Sequence, residues 1–211
     1  MKKFLVIDAT GRDATKSHTK KLAEKLLAKI AKDGREIVIL DLYQQDIPFL
    51  DNAILLARHD ATQKTEVTNK CEKLLNEFMA ADAYVFIFPT WNWSVPAILK
   101  AYLDIILVSG KLFVYKGLSI EGQLKGKTAF LVNTTGGPVV APFFSRLLKA
   151  TNGVEYMELI VKIMGIRDIR KLVIDGMSYR FKNPKTQTAF DEEQFDKKAD
   201  VLVAKIDTSL K

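Results

Sequence analysis

Three polar stretches of the chain carry the residue types that bind a flat, phosphorylated small molecule. The first runs Asp8-Ala9-Thr10-Gly11-Arg12-Asp13-Ala14-Thr15-Lys16-Ser17-His18-Thr19 and offers four hydroxyls and one glycine just before a helical pattern begins. A helix start presents unpaired N–H groups and the positive end of the dipole, which together bind phosphate. Thr10, Ser17 and Thr19 add hydroxyl donors to that set. The stretch has neither the G-x-G-x-x-G spacing of dinucleotide folds nor the G-x-x-x-x-G-K-[ST] of nucleotide triphosphatases. A monophosphate held by hydroxyls and backbone is therefore favoured over a pyrophosphate or ATP. A plainer use of the same residues is open as well, with Ser17 or Thr19 simply capping the helix.

The second stretch, Pro89-Thr90-Trp91-Asn92-Trp93-Ser94-Val95-Pro96, holds both tryptophans of the chain. Its prolines stiffen the loop and set its exit into the next helix. An aromatic side chain here can lie against a planar ring, and Asn92 and backbone N–H groups can bond that ring's polar edge. The competing use is a turn whose tryptophans pack on the core. The third stretch is Asn133-Thr134-Thr135-Gly136-Gly137-Pro138, where paired glycines let backbone approach a ligand without Cβ atoms in the way. An ordinary tight turn would also use them. The conjunction outweighs each member, because all three stretches follow apolar runs that read as strands.

Those strands and the helices between them must position the three loops. Phe4 to Asp8, Ile37 to Leu40, Ala83 to Phe88, Thr128 to Asn133 and Leu172 to Asp175 are short apolar runs, as expected of strands covered on both faces. Helical spacing links Leu22, Leu26, Leu27 and Ile30 before Asp33-Gly34, and links Cys71, Leu74, Leu75 and Phe78 within Val67 to Met79. Further helices are expected from about Ala97, with Ile98, Tyr102, Leu103 and Ile106 inward, over Glu155 to Met164, and over Glu192 to Ile206. Leu112 to Tyr115 reads as a short extra strand or hairpin arm, with Gly117 and Gly122 marking turns. Five strands alternating with helices predict an α/β fold built on a parallel sheet with right-handed crossovers. No composition break divides residues 1–211, so one domain is expected. In such a sheet, ligands bind beyond the carboxyl ends of the strands, where the three loops would meet.

Composition narrows the function classes. Hydrophobic residues make up 48% of the 211, enough for a sizeable core, and no apolar run approaches the roughly 20 residues of a membrane span. The apolar start stops at Asp8 without a small-residue cleavage site, which favours a buried strand over a signal peptide. The single cysteine, Cys71, excludes an intrachain disulfide and a cysteine-built zinc site, and a cytoplasmic protein fits best. The net charge of +7 is spread thinly. Its densest runs, Lys16 to Lys25 and Lys197-Lys198, alternate with apolar residues like solvated helix faces, so nucleic acid is not the expected partner.

At Pro89 to Asp104 the chain resembles the FMN-dependent NADH-azoreductases, or NADH:quinone oxidoreductases, of the flavodoxin-like superfamily. P-T-W-N-W-S-V-P-A-I-L-K-A-Y-L-D follows the family pattern P-[MT]-[YW]-N-[FW]-x-x-P-x-x-L-K-x-Y-[FIL]-D. Gly110 to Tyr115, followed by Gly117 and Gly122, is similar to its G-x-x-F-x-Y segment. The resemblance implies a flavodoxin-like three-layer fold, with a five-stranded parallel sheet flanked by helices. It implies tightly but non-covalently bound FMN, with Thr10, Ser17, His18 and Thr19 at the phosphate. Pro89, Thr90, Trp91, Asn92 and Trp93 would embrace the isoalloxazine, with Thr134, Thr135, Gly136 and Gly137 at its edge. Thr135 stands where the family commonly has arginine, which removes a cation near the flavin or nicotinamide. NADH or NADPH would reduce the flavin by hydride transfer, and a quinone or azo compound would then take the vacated place in a ping-pong cycle. A homodimer with flavin at its interface is implied too.

No side chain is expected to act as a catalyst, and no metal is expected. His18 and His59 read as hydrogen-bonding or surface residues, Cys71 as a buried helix residue, and Met157 and Met164 as core. Phe143-Phe144 are candidates for a substrate-pocket wall. A flavodoxin-type electron carrier and a non-enzymatic flavin-binding redox regulator are the alternative readings, distinguished by whether reduced nicotinamide bleaches the flavin and whether turnover follows.

Overall fold

Residues 2–13, 16–32, 34–137, 153–178 and 190–210 are described by the structure, a computed structural model. Strands β1 (Lys3–Asp8), β2 (Glu36–Asp41), β3 (Ala83–Pro89), β6 (Thr128–Thr134) and β7 (Asp168–Ile174) form one sheet in the order β2-β1-β3-β6-β7. Every pairing in it is parallel. β1 and β3 read as unbroken apolar runs because both their faces are covered. β2 is an edge strand, so its Ile39 is 62% exposed although the run looks as apolar as the others. The order reverses direction between β1 and β3, the crevice where open α/β sheets bind ligands.

Helices cover both faces. On one side α1 (His18–Ala31) and α6 (Glu192–Lys205) bury Leu22, Leu26, Ile30, Phe195 and Ala199 against Phe4, Val6, Val85 and Phe130. On the other lie α2 (Asn52–Ala57), α3 (Glu66–Ala80), α4 (Ala97–Ile106) and α5 (Gly153–Ile163), with Phe78, Tyr102 and Met157 packed on Leu5, Ile7 and Phe86. The i, i+3, i+4, i+7 spacing of Cys71, Leu74, Leu75 and Phe78 puts all four on the buried stripe of α3. Its start is a capping box in which Thr65 and Thr68 satisfy each other's backbone N–H groups. Met157, Met164 and Cys71 are buried, as their apolar surroundings require.

Some sequence expectations shift. α2, whose N-cap is Asp51, is too short for its pattern to show in the sequence. α4 turns Leu99 and Ile105 inward together with Tyr102, Leu103 and Ile106, and leaves Ile98 only half-buried. The expected extra strand is the first arm of an antiparallel hairpin, β4 (Phe113–Lys116) and β5 (Ser119–Gly122). Gly117 makes the hairpin turn with φ of 61°. Gly122 does not mark a turn: it lies in β5, and a Cβ there would come within 2.0 Å of the Gly165 nitrogen. Close backbone packing against the end of α5 explains that glycine. Asp33, Pro138 and Phe143-Phe144 lie outside the described residues.

Candidate functional site

β1, β3 and β6 are adjacent in the sheet, and their carboxyl ends lie level, with Pro89 opposite Thr134 and Asp8 opposite Ile87. Parallel pairing therefore brings the three sequence-distant loops to one rim. A cleft of about 320 Å³ opens there, lined by Thr10, Ser17, His18, Thr19, Pro89, Thr90, Trp91, Thr134, Thr135 and Gly136. Asn92, Trp93 and Gly137 do not line it. Arg12, Lys16 and Met177 do, although the sequence reading left them out of the site. Arg12 and Lys16 stand in the first loop itself and are the cations a phosphate would meet. Met177 follows β7, whose exit the sequence reading did not consider.

The floor of the first loop is a buried carboxylate. Asp8 is 3% exposed, and its Oδ1 accepts from both the backbone N–H and the hydroxyl of Thr10, at 2.9 and 2.7 Å. Its other oxygen pairs with Lys20 Nζ at 3.0 Å. Asp8 thus holds Thr10 in place while Lys20 balances its charge. Ser17 is the N-cap of α1, its hydroxyl accepting from Lys20 N–H at 3.2 Å. The capping use read from the sequence is real, and it leaves the N–H groups of His18 and Thr19 without an acceptor among the described residues. Thr19 is buried and shares a 2.6 Å hydroxyl–hydroxyl hydrogen bond with Thr134, which ties the helix start to the end of β6.

His18 supplies the cleft with an imidazole. Its ring stacks on Phe190, with centroids 4.0 Å apart and planes 26° from parallel. Burial holds the imidazole below its ordinary range, with Glu192 pulling the other way. Glu192 Oε2 stands 4.0 Å from Nδ1, and that nitrogen is buried without a hydrogen-bond partner.

The tryptophan loop is a tight turn. Trp91 and Ser94 exchange both backbone hydrogen bonds at 3.1 and 3.0 Å, and the two central residues are left-handed, Asn92 at φ 48° and Trp93 at φ 63°. Trp91 at its base faces the cleft; Trp93 at its tip is 69% exposed. Asn133 is fully buried and donates to Phe88 O at 2.8 Å and to the Thr90 hydroxyl at 3.1 Å, bolting the second loop to the third. In the third loop, the carbonyls of Thr135, Gly136 and Gly137 accept from Met177, Ser178 and Gly176. This anchoring leaves the N–H groups of Gly136 and Gly137 without acceptors among the described residues. The cleft therefore combines cations, hydroxyls, unspent N–H donors, an indole and a glycine loop. No group of three or more metal-ligating side chains occurs among the described residues.

A family model described as a flavodoxin-like fold matches residues 2–199. The FMN-dependent NADH:quinone oxidoreductase of Caldicellulosiruptor saccharolyticus is 35% identical over 179 residues, which span 82% of this chain and 85% of that one. FMN-dependent NADH:quinone oxidoreductase 2 of Listeria monocytogenes is 32% identical over 191 residues, 85% of this chain and 89% of the relative. The crystal structure of azoreductase from Bacillus anthracis str. Sterne superposes with a TM-score of 0.79 at 28% identity, covering 97% of this chain and all of that one. Both the sheet order and the full-length similarity thus lead to one assignment: this chain belongs to the flavodoxin-like family, among the FMN-dependent NADH:quinone oxidoreductases.

Proposed function

We propose that this chain is an FMN-dependent NAD(P)H oxidoreductase that reduces quinones and azo compounds in a ping-pong cycle. One observation carries the site assignment: residues with unspent backbone N–H groups from two loops line one cleft, His18 and Thr19 from the first and Gly136 from the third, with Gly137 next in the chain. That donor set fits a phosphate joined to a flat ring whose edge gains negative charge. Bound FMN supplies a carrier that takes a hydride from a nicotinamide and passes two electrons on.

The residues do the rest. Arg12, Lys16, Ser17 and the start of α1 hold the phosphate. Asp8 and Thr134 fix Thr10 and Thr19 so that the hydroxyls need no reordering on binding. Trp91 walls the ring, and the glycine loop donates N–H groups toward its polar edge, where they oppose accumulating charge. Asn92 and Trp93 act from the turn tip. Thr135 brings no cation to this edge, and NADH or NADPH is the electron donor.

A homodimer completes the reading. Its support is the set of apolar side chains left bare on the hairpin and the turn, Tyr115, Leu118 and Ile120 with Trp93, all well exposed. No helix among the described residues is long and apolar enough to cross a membrane, and the cytoplasm is the proposed location.

The test is direct. Freshly purified protein should be yellow and release FMN on denaturation, and anaerobic NADH should bleach it by two electrons, with benzoquinone or an azo dye restoring the colour. Failure of both NADH and NADPH to bleach bound flavin overturns the enzyme reading.

A further inference from the structure

His18 sits between the two residues that hold the start of α1, yet no step above uses its imidazole. Its ring lines the cleft and is clamped by aromatic neighbours, Phe190 at 4.0 Å and Phe195 at 5.1 Å between centroids. The stacking on Phe190 and the tilted contact with Phe195 orient the ring plane. Nδ1 is buried without a hydrogen-bond partner, and Glu192 Oε2 stands just beyond bonding reach at 4.0 Å. The charged groups acting on it are Lys21 on its own helix and Glu192 and Asp196 on α6, and Arg12 and Lys16 line the same cleft. Burial and Lys21 oppose a proton on the ring, and the two carboxylates favour it.

We propose that His18 is a specificity-determining residue for the flavin phosphate, neutral in the free protein and protonated when a dianionic phosphate monoester occupies the cleft. This rests on the FMN reading. The two negative charges of the monoester tip the balance among the neighbours toward the charged imidazole. Protonation makes both ring nitrogens donors. Nδ1 then gains Glu192 as an acceptor once the gap closes, and the positive charge stands beside the phosphate. Riboflavin has the same ring without the phosphate, so it gains nothing from His18. Burial already holds the free imidazole below its ordinary range, which keeps the proton off until the ligand arrives.

The sign of the pH dependence follows. A pKa that is low in the free protein and higher in the complex makes affinity rise as pH falls between the two values, and stay level outside them. Protonation of the phosphate itself, near pH 6, reverses the gain below that point.

Calorimetric titration of the FMN-free protein in two buffers of different ionisation heat counts the protons taken up. Wild type should take up protons with FMN and none with riboflavin. FMN should bind roughly three- to tenfold tighter at about pH 6.5 than at about pH 8.5. His18→Gln should lose most of the uptake and flatten the profile, and Glu192→Gln should reduce both without abolishing binding. Imidazole NMR of the wild type provides a check that needs no variant, as the His18 pKa should rise when FMN is added. Equal uptake by His18→Gln and wild type, or an unmoved His18 pKa, overturns the proposal. FMN binding without proton uptake would sink this role alone, whereas no FMN binding by the wild type would overturn the FMN reading and this role together.

Discussion

At the scale of single residues, the cleft depends on small groups held by larger ones. The buried Thr19 and Thr134 hydroxyls satisfy each other, so Thr19→Val strands one of them away from water. That change should cost about 1–3 kcal/mol in urea unfolding and weaken FMN retention. Gly137 makes a cleaner probe of the third loop, since a Cβ built on it meets nothing within 4 Å. Gly137→Val should fold normally yet lose flavin, seen as loss of visible absorbance; an unchanged yellow colour would remove this loop from the site. Far from the cleft, Glu121 is held ionised by hydrogen bonds from Lys116 and Lys125, with its pKa lowered to about 2. A depressed carboxylate supports the fold above its unfolded pKa and loses that support as pH falls through the folded value. Carboxyl NMR should therefore find Glu121 titrating near 2, and in Glu121→Gln the hairpin amides should exchange faster at mildly acidic pH.

Elements set where those residues stand. β5 crosses the end of α5 so closely that Gly122 has no room for a side chain. Gly122→Ala should push the hairpin off the helix, at a cost of at least about 1–3 kcal/mol, measurable as a lower urea midpoint. The tryptophan turn is the opposite case, because its left-handed central pair suits Asn-Gly far better than Asn-Trp. Strain kept by an exposed aromatic points to use by a ligand or a partner. Trp93→Gly should raise stability by about 1 kcal/mol while lowering quinone turnover or subunit affinity. A stability gain with both unchanged would leave the indole without a role.

Over the whole molecule, the basic excess is distributed by packing. Lys21 and Lys25 on α1 pair with Glu192, Asp196 and Asp200 on α6, so the first lysine-rich run meets acids across one helix interface, while Lys197 of the second pairs with Glu193 on its own helix. The proposed dimer is tested at this scale. Leu118, fully exposed at the hairpin tip, becomes charged in Leu118→Lys. Sedimentation equilibrium should show a dimer for the wild type and weaker association for the variant, with helix content unchanged. A monomeric wild type at micromolar concentration would remove the interface from the reading.

Local chemistry made much of this legible in advance. Strand runs such as Ala83 to Phe88 and the stripe through Cys71 and Phe78 declare themselves because burial on two faces, or on one, imposes its own periodicity on the chain. The three loops were legible as candidates as well, because their occurrence together after three strands outweighs the cap, core packing or turn that each could serve alone. Tertiary structure alone decided which of their side chains share a cleft. Trp91 lies inside and Trp93 outside because a left-handed turn separates two chemically identical neighbours. Asn133 looked like a strand end and proved to be the brace of Thr90, and Met177 joined from a strand exit that carries no motif. Periodicity records how each segment meets the core, but a hydrogen bond between residues far apart in the chain leaves no mark on the spacing of either.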